Sequence, residues 1–348
     1  MKRIITAIAL CVILTGCAKP VTEPSLPSVD ASGALSAQSS ISSAATEQTS
    51  SEEPQTTSTS VQQTEEPVEE LPYINGSVTI LGPNMVYTGE YFDFKYEFIP
   101  EPDSEEAEFL WECIGDAGNI AEDGRFTGVQ KGTVTLRVYD STESVMGALD
   151  VHVVDTAADV DFVPMVNGIP IANKTYPLPK DYDPGVSSEA YDALKKLIAD
   201  AKAEGLTITF LSGYRGYSYQ KKVYENWCVK YPNGQADRIS ARPGHSEHQL
   251  GLSFDVNSLE FEFADTPEGL WLAENCYKYG FIIRYPEGME HITGYMYEPW
   301  HIRYLGNELA EKVHNSGLTL EEYLGIDSYY RGEYEYAADI PLDNPENS

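Results

Sequence analysis

The sequence contains no lysine or arginine between Lys19 and Lys95, although this stretch includes many glutamates. Residues 18–72 are also rich in Ser, Thr, Gln and Pro and poor in large apolar side chains. Such a segment cannot bury enough apolar surface to offset the entropy lost on ordering. We therefore predict that residues 18–72 are a disordered, charge-extended tether, and that the folded part of the chain begins near residue 73.

An apolar run from Ile4 to Leu14 follows Lys2 and Arg3 at the N-terminus. The run is shorter than the roughly 20 apolar residues that span a bilayer, which favours an export signal. It ends in Leu-Thr-Gly-Cys, which resembles a bacterial lipobox and implies lipid attachment at Cys17. An ordinary signal peptide with a chance cysteine is the alternative. We expect residues 1–17 to be a lipoprotein signal and the protein to be extracytoplasmic, anchored in the membrane by lipid.

The chain carries 23 Lys and Arg against 55 Asp and Glu, which gives a formal net charge of −32. Nucleic acids bind basic surfaces, so we expect no nucleic-acid partner. Two cysteines, Cys228 and Cys276, fall in predicted helices. An exported protein can hold a disulfide between them, but two free thiols fit equally well because the sequence does not fix their Cα separation.

Residues 73–155 contain five β-rich segments separated by Gly, Pro, Asn and Asp. The segments are SVTIL, FDFKYEF, FLWECI, GTVTLRVYD and GALDVHVVD. This rhythm predicts a small β-sandwich. The run from Trp111 to Asp140 resembles bacterial Ig-like repeats, which implies a rigid spacer; binding to the cell wall or to a partner protein is the alternative.

Residues 160–326 mix helices and strands. A helix is predicted in VSSEAYDALKKLIADAKAEG, with Ser187 or Ser188 as its cap and Gly205 past its end. Further helices are predicted in SYQKKVYENWCVKY and TPEGLWLAENCYKYG. LTITFL is interpreted as a buried strand, and FIIRY and HIRYL as further strands. Because the order shows no regular βαβ alternation, we predict an α+β domain with a mainly antiparallel sheet.

A candidate metal site follows from the polar residues of two segments. SEHQLGLSFDV places His248 seven residues before Asp255, at the end of a β-prone run. Glu298 and His301 stand on a short segment in which Pro299 keeps Glu298 out of the helical region, so this is not a helical zinc motif. Three protein ligands with an open position suit catalytic zinc. His248, Asp255 and His301 are one candidate set, and it leaves Glu298 free to take a proton from water.

Four segments together resemble the VanY-like D-alanyl-D-alanine carboxypeptidases. These segments are SGYRGYSYQ, SARPGHSEHQLGLSFDV, WLAENCYKYGFIIRYPEG and ITGYMYEPWHIRYLG, and the resemblance covers residues 164–325. The pattern S-x-H-x(6)-D followed by E-x-x-H is the zinc signature of that family. The resemblance implies a small zinc peptidase domain in which His248, Asp255 and His301 bind Zn²⁺ and Glu298 is the catalytic base.

The same resemblance suggests residues on the substrate side. Arg215 and Gln220 are similar to family positions that hold the substrate, and Ser246 lies in the pocket segment. A guanidinium binds a terminal carboxylate through a two-pronged, charge-assisted pair, which makes Arg215 the natural carboxylate partner. An ion pair with an acidic neighbour is the alternative for Arg215. Tyr214 is expected to line the cleft.

The remaining polar residues carry weaker expectations. Ser253 stands where the family commonly has alanine. His245 and His291 match no functional position of the family, and we expect a surface role for both; a place at the rim of the pocket is the alternative. His152, in a predicted strand, and His314, in a predicted C-terminal helix, are interpreted as structural.

The implied substrate is the stem peptide of peptidoglycan, outside the membrane. We predict zinc-dependent removal of its C-terminal D-alanine. The same metal site would serve an L,D-carboxypeptidase acting on tetrapeptide stems, or an endopeptidase acting on cross-links. A non-catalytic wall-binding module is a further alternative. Residues 327–348 form an acidic tail without an assigned role.

Overall fold

The computed structural model describes residues 73–334. The signal with Cys17, the tether at 18–72 and the tail from 335 onwards lie outside the described residues, so the expectations for them stay predictions. Within residues 73–334, none of the helices has the length and the apolar composition that crossing a bilayer requires.

The N-terminal region is built from strands that surround one apolar core, formed by residues such as Val78, Phe126 and Leu136. The strands are β1 (Gly76–Leu81), β2 (Met85–Tyr87), β3 (Tyr91–Asp93), β4 (Lys95–Pro100), β5 (Phe109–Ile114), β6 (Gly118–Ile120), β7 (Arg125–Gly128), β8 (Gly132–Asp140) and β9 (Met146–Val154). One sheet has the order β2-β9-β8-β5, a second has β3-β7-β6, and β1 pairs with β4. All of these pairs are antiparallel except β2 with β9. The β-rich prediction is confirmed, and the Ig-like sandwich stays a prediction.

The predicted strand FDFKYEF is divided in two at Phe94. β3 precedes this residue and pairs with β7, whereas β4 follows it and pairs with β1. Phe94 itself is buried in the core, and its backbone N–H donates to the Gly124 carbonyl oxygen at 2.9 Å. The prediction merged two strands because apolar alternation does not show that a chain changes its pairing partner.

The C-terminal region is an α+β domain, as predicted. Its elements are β10 (Met165–Val166), β11 (Ile169–Pro170), α1 (Ser188–Ala203), β12 (Phe210–Ser212), α2 (Tyr217–Lys230), β13 (Ser253–Val256), α3 (Pro267–Asn275), β14 (Phe281–Ile283), α4 (Glu290–Thr293), β15 (His301–Tyr304), α5 (Asn307–Ser316) and α6 (Leu320–Leu324). The main sheet has the order β12-β13-β15-β14, and every pair in it is antiparallel.

The first long helix forms where the sequence predicts it. The Ser187 hydroxyl caps α1 by accepting the Ala190 N–H at 3.3 Å, and Gly205 takes a φ of +85° just past the helix. Leu194 and Leu197 face one side of α1 and are buried against the main sheet, in the same core as Phe254. The apolar stripe of the helix therefore covers one face of the sheet and leaves the other face for polar groups.

The predicted buried strand LTITFL is wrong in extent and in burial. Only Phe210–Ser212 is strand, and the side chains of Phe210 and Leu211 are 47% and 46% exposed. β12 lies at the edge of the main sheet, and its register with β13 shifts between Phe210 and Ser212. Upstream, the Thr209 N–H donates to the Asn257 side-chain oxygen at 2.7 Å instead of to a neighbouring strand. An edge position exposes apolar side chains that a central strand would bury.

The β-rich region and the α+β domain fall within one unit of the chain and share an apolar cluster. Met85 and Tyr87 of β2 belong to this cluster together with Ile171 and Tyr176 of the α+β domain. The Tyr87 hydroxyl also donates to the Thr175 carbonyl oxygen at 3.1 Å. The two regions are therefore packed against each other.

The sequence left open whether Cys228 and Cys276 form a disulfide and what the tail from residue 327 does. Cys228 and Cys276 are both free, as is Cys113. The first residues of the predicted tail are packed on the protein: the Tyr330 ring lies 3.9 Å from the Arg242 guanidinium. The start of the tail is thus in contact with the α+β domain.

Candidate active site

The register of the main sheet places Asp255 directly opposite His301. β13 and β15 are antiparallel, and Asp255 pairs with His301 while Phe254 pairs with Ile302. Directly opposed residues point to the same face of a sheet, and successive residues point to opposite faces. Phe254 and Ile302 enter the apolar core. Asp255 and His301 therefore share the other, polar face.

His248 reaches this face from a single helical turn, Glu247–Leu250, just before β13. Its Nδ1 lies 2.7 Å from the Gly213 carbonyl oxygen. A carbonyl oxygen only accepts, so Nδ1 carries the proton and Nε2 is left with a free lone pair. Nε2 lies 3.4 Å from the Asp255 carboxylate. The backbone N–H of Arg215 donates to the His248 carbonyl oxygen at 3.2 Å. This bond joins the turn at SGYR to the helical turn that carries His248.

The three predicted ligands converge, and we call them the metal-site cluster: His248, Asp255 and His301. One ligand atom from each lies within 4.8 Å of the others, and all three side chains are buried. His301 Nδ1 lies 3.3 Å from Asp255. The second nitrogen of His301, Nε2, is buried and has no hydrogen-bond partner within the described part of the chain. Two imidazole nitrogens and a carboxylate oxygen match the ligands of catalytic zinc, so the residues fit this ion.

The electrostatics of the metal-site cluster indicate a place for a cation. Burial would raise the pKa of Asp255, but His248 and His301 lower it well below the usual value. Burial lowers the pKa of His248 to about 4, and nearby Arg215 acts in the same direction. Burial would lower the pKa of His301 too, but Asp255 and Glu247 raise it to about 9. The carboxylates around His301 thus stabilise a positive charge at this position, which a bound metal ion would supply in place of a proton.

Glu298, the predicted base, lies beside the cluster without belonging to it. One carboxylate oxygen is 3.4 Å from His301 Nδ1, and the side chain is 13% exposed. Its backbone N–H donates to the Tyr285 carbonyl oxygen at 3.1 Å, which holds the extended segment in place. Burial raises the pKa of Glu298 to about 7; His301 opposes this rise and Asp255 adds to it. A carboxylate with such a pKa is suited to exchange protons near neutral pH.

Arg215 is close to the predicted ligands. Its Nη1 donates to the Ser212 hydroxyl at 3.1 Å and lies 3.5 Å from the Asp255 carboxylate, whereas its Nε has no partner among residues 73–334. The side chain is partly exposed. Ser246 is buried two residues before His248. The substrate roles of Arg215 and Ser246 stay predictions, and the guanidinium is in position to meet a group that approaches the metal-site cluster.

The other two predicted substrate residues make contacts within the protein. The Tyr214 hydroxyl donates to the Asp183 carboxylate. Gln220 is buried on α2, where its amide nitrogen donates to the Ala241 carbonyl oxygen at 2.8 Å and to the Ser240 hydroxyl at 3.2 Å. Gln220 therefore supports the segment that leads to His248, and substrate contact by either residue stays a prediction.

Sequence reasoning missed a buried group of charges next to the metal site. Glu247 accepts from Arg284 at 2.7 Å and from Arg303 at 2.9 Å through the same oxygen, Oε1. Arg284 also donates through two nitrogens to Glu321, at 2.6 and 2.8 Å. Each of these residues is at most 1% exposed. We call Glu247, Arg284, Arg303 and Glu321 the arginine–glutamate cluster.

A signal for this cluster was present in the sequence. Arg284 follows the apolar run FII, and Arg303 stands within HIRYL. An arginine inside a short apolar strand is rarely buried without a partner. The position of Arg303 two residues after His301 places it on the same face of β15 as that ligand. Its acidic partner could not be named, because Glu247 is 56 residues away in the sequence.

The structure corrects one expectation for the remaining histidines. His245 was expected at the surface but is only 8% exposed, and its Nδ1 lies 2.8 Å from the Asn173 carbonyl oxygen. The Tyr330 ring packs edge-on against it. Both covering residues are far away in the sequence, so the local polar context of His245 was misleading. His291 is exposed, as expected, and His314 lies on α5.

Comparison with known proteins identifies relatives of this domain. Residues 184–307 match the family described as VanY, D-alanyl-D-alanine carboxypeptidase. YodJ of Bacillus subtilis (strain 168) is 40% identical over 182 residues, which are 45% of this chain and 67% of YodJ; the chain thus spans about two thirds of this relative. The solved LdcB LD-carboxypeptidase is 44% identical, with coverage of 47% of this chain and 89% of LdcB and a TM-score of 0.44. A zinc complex of the vancomycin-resistance D,D-pentapeptidase VanY is 35% identical, with coverage of 44% and 97% and a TM-score of 0.41.

The α+β fold, the buried His–Asp–His cluster and the adjacent carboxylate define a metallopeptidase. The chain belongs to the VanY family of carboxypeptidases, as the family match and its identity to relatives that it covers by two thirds or more show. The family expected from the four sequence segments is thereby confirmed. His248, Asp255 and His301 are the residues that would hold a zinc ion here.

Proposed function

We propose that this protein is a zinc-dependent D,D-carboxypeptidase that removes the C-terminal D-alanine from peptidoglycan stem peptides. The observation that carries this proposal is the position of the Glu298 carboxylate, 3.4 Å from the Nδ1 atom of His301 in the three-ligand cluster. A basic group next to a metal position is what hydrolysis of a peptide bond by water requires. The family description, D-alanyl-D-alanine carboxypeptidase, supports the substrate class.

In the proposed mechanism the protein contributes a base, a cation that binds the substrate's terminal carboxylate, and a buried site. A zinc ion, when bound, supplies Lewis acidity to the substrate carbonyl and to the attacking water. Glu298 accepts a proton from that water and then donates it to the amine of the leaving D-alanine. The raised pKa of Glu298, about 7, suits both directions of transfer.

Arg215 is the proposed partner of the substrate's terminal carboxylate. Its guanidinium lies on the Asp255 side of the cluster, and its Nε is buried without a hydrogen-bond partner in the described part of the chain. A carboxylate that accepts from Nε and a terminal nitrogen would satisfy this donor in the two-pronged geometry typical of arginine. Such a contact would restrict cleavage to the last peptide bond, which is the definition of a carboxypeptidase.

An L,D-carboxypeptidase acting on tetrapeptide stems is the second candidate. One observation favours it: the sequence identity to the LD-carboxypeptidase LdcB, 44%, exceeds the 35% identity to the D,D-pentapeptidase VanY. The two activities differ in the chirality of the residue before the scissile bond. The metal, the base and the carboxylate partner would be the same for both.

Mass spectrometry of stem peptides incubated with the purified protein tests both candidates. Pentapeptide and tetrapeptide stems are supplied separately, with and without a chelator. Loss of one alanine from the pentapeptide, abolished by the chelator, is expected for the D,D-enzyme. Loss of alanine from the tetrapeptide alone would assign the L,D-activity, and cleavage of neither by zinc-loaded protein would overturn the exopeptidase proposal.

Glu298→Gln tests the role of the base in the same assay. The substitution keeps the size of the side chain but removes its basicity, so we expect a fall of about 10²–10⁴-fold in rate with zinc still bound. Glu287→Gln is the matched control, because it makes the same chemical change at an exposed carboxylate just before α4. Equal activity of the two variants would exclude Glu298 as the base.

We also propose that the protein acts outside the cytoplasm, attached to the membrane by lipid at Cys17. The support is the N-terminal sequence alone, with its short apolar run and its lipobox-like end. Mass spectrometry of the mature N-terminus should show a diacylglyceryl group on residue 17, and Cys17→Ser should release the protein from membranes. An unmodified mature N-terminus at another residue would refute the anchor.

For the N-terminal region we propose an Ig-like module that positions the peptidase with respect to the cell wall. Support comes from the Ig-like sequence rhythm and from the mostly antiparallel strands around one core. An experimental structure that showed a different strand topology from that of Ig domains would overturn the assignment.

A further inference from the structure

The two nitrogens of the His301 ring have different surroundings. Nδ1 faces carboxylates on the metal side, at 3.3 Å from Asp255 and 3.4 Å from Glu298. Nε2 is buried on the opposite side of the ring and makes no hydrogen bond among residues 73–334. A carboxylate oxygen, Oε2 of Glu247, lies 3.8 Å from Nε2. A ligand histidine usually donates its second N–H to a carboxylate or a carbonyl group, and here one carboxylate is within reach.

The two oxygens of Glu247 are also used unequally. Oε1 accepts from both arginines of the arginine–glutamate cluster, at 2.7 and 2.9 Å. Oε2 accepts only one weak bond from the described residues, from the Ser253 hydroxyl at 3.2 Å. A carboxylate oxygen accepts about two hydrogen bonds, so Oε2 retains room for one more. The arginines hold the carboxylate in place while its second oxygen is left for the ring of His301.

We propose that Glu247 is a positioning residue of the metal site: in the zinc-bound protein its Oε2 accepts the Nε2–H of His301 and thereby fixes the ring tautomer whose Nδ1 faces Asp255 and the metal. Ser253, which stands where the family commonly has alanine, donates to the same oxygen and therefore shares it with the His301 ring. The inference rests on the metal site of the proposed function but not on the choice of stem peptide. It would therefore survive a result that assigned the L,D-activity.

Zinc affinity of two matched variants tests this proposal. Glu247→Gln and Glu321→Gln each remove one buried carboxylate from Arg284, but only Glu247 lies next to His301. Competition of the purified full-length protein with a chromophoric chelator is expected to give about 10–100-fold weaker zinc binding for Glu247→Gln. Glu321→Gln is expected to bind zinc like the unchanged protein. Equal affinities in the two variants would overturn the proposal.

The spectrum of the cobalt-substituted protein gives a readout beyond affinity. A change in the ligand field is expected for Glu247→Gln and not for Glu321→Gln, because only the first alters a ligand's partner. Ser253→Ala leaves all charges in place and frees Oε2 for His301, so equal or tighter zinc binding is expected. Weakening by Ser253→Ala to the level of Glu247→Gln would contradict the assigned partner of Oε2.

The unchanged protein provides a test that does not depend on the folding of any variant. Nitrogen-15 spectra of histidine-labelled, zinc-loaded protein distinguish a metal-bound ring nitrogen from a protonated one. We expect His301 to show metal-bound Nδ1 and protonated, hydrogen-bonded Nε2. Metal on Nε2, or an Nε2–H without a hydrogen bond, would overturn the role of Glu247.

Discussion

Two buried charged clusters lie side by side on the polar face of the main sheet, and they differ in how their charges are balanced. The arginine–glutamate cluster contains two cations and two anions, each joined by hydrogen bonds of 2.6 to 2.9 Å. The metal-site cluster contains one carboxylate and two imidazoles, at separations of 3.3 and 3.4 Å. In the first cluster each charge meets an opposite charge, whereas in the second the one permanent cation that the described residues supply is Arg215, at its edge.

This difference indicates which cluster is structural and which binds a ligand. A buried carboxylate without a matched cation is costly, so a chain retains one only where something else balances it. Short bonds between opposite charges leave the arginine–glutamate cluster with no need of an added ion, although Oε2 of Glu247 has room for a further donor. In the metal-site cluster the separations are longer, and the lone pair of His248 Nε2 faces the Asp255 carboxylate, an arrangement that a cation between the two groups would stabilise. Burial alone therefore does not mark a functional site; incomplete compensation does.

The largest expected effect comes from removing the anion of the metal-site cluster. Asp255→Asn deletes a ligand and the charge that attracts the cation, so activity should fall to the level of the chelator-treated protein. The loss of zinc affinity should exceed the about 100-fold that loss of an outer partner costs. Peptide cleavage and zinc titration measure the two quantities, with the exposed Asp181→Asn as control. Retained zinc binding in Asp255→Asn would erase the distinction between the clusters.

The second effect is on stability and concerns the arginine–glutamate cluster. Arg284→Met leaves Glu247 and Glu321 buried without their shared cation, which is expected to lower the free energy of unfolding by about 3–5 kcal/mol. Arg238→Met is the matched control, because Arg238 pairs with Glu290 at the surface and should contribute no more than about 1 kcal/mol. Urea unfolding of the zinc-free proteins measures both. Equal losses would mean that the buried cluster is no more important to the fold than a surface pair.

The third effect sharpens the role of Arg215 at the border of the metal-site cluster. Charge-assisted hydrogen bonds contribute about 1.5–3 kcal/mol, so Arg215→Lys should lower kcat/KM on a stem peptide by about 10–150-fold. A peptide with an amidated C-terminus lacks the carboxylate and should be a poor substrate for both forms, with little further loss in the variant. An equal loss on both peptides would show that Arg215 supports Asp255 instead of binding the substrate.

The sequence predicted the metal-site cluster because its members occur in recognisable local patterns. His248 and Asp255 lie within a dozen residues of each other, and so do Glu298 and His301. The arginine–glutamate cluster has no such pattern, since Glu247 meets Arg284 and Arg303 across 37 and 56 residues. Local sequence therefore predicts ligands more readily than the groups that hold those ligands in place.

The same reasoning explains the errors in the fold. His245 has a polar local context, but it is covered by Asn173, which lies 72 residues away. LTITFL has the composition of a central strand, but its place at the edge of the sheet depends on the order of four strands. In both cases burial is set by a neighbour that only the folded chain supplies. Helix α1, whose cap and apolar stripe are local, was predicted to within two residues.

The smallest expected effect tests whether the contact between the two regions of the chain reaches the clusters. Tyr87→Phe removes only the hydroxyl that donates to the Thr175 carbonyl oxygen, so the free energy of unfolding should fall by about 1 kcal/mol. Thr175 lies two residues from Asn173, whose side chain donates to Glu321 of the arginine–glutamate cluster at 3.2 Å. Because Glu321 binds Arg284 and not a zinc ligand, the perturbation should stop there and leave zinc affinity unchanged. Weaker zinc binding in Tyr87→Phe would show instead that the arginine–glutamate cluster transmits changes from the N-terminal region to the metal site.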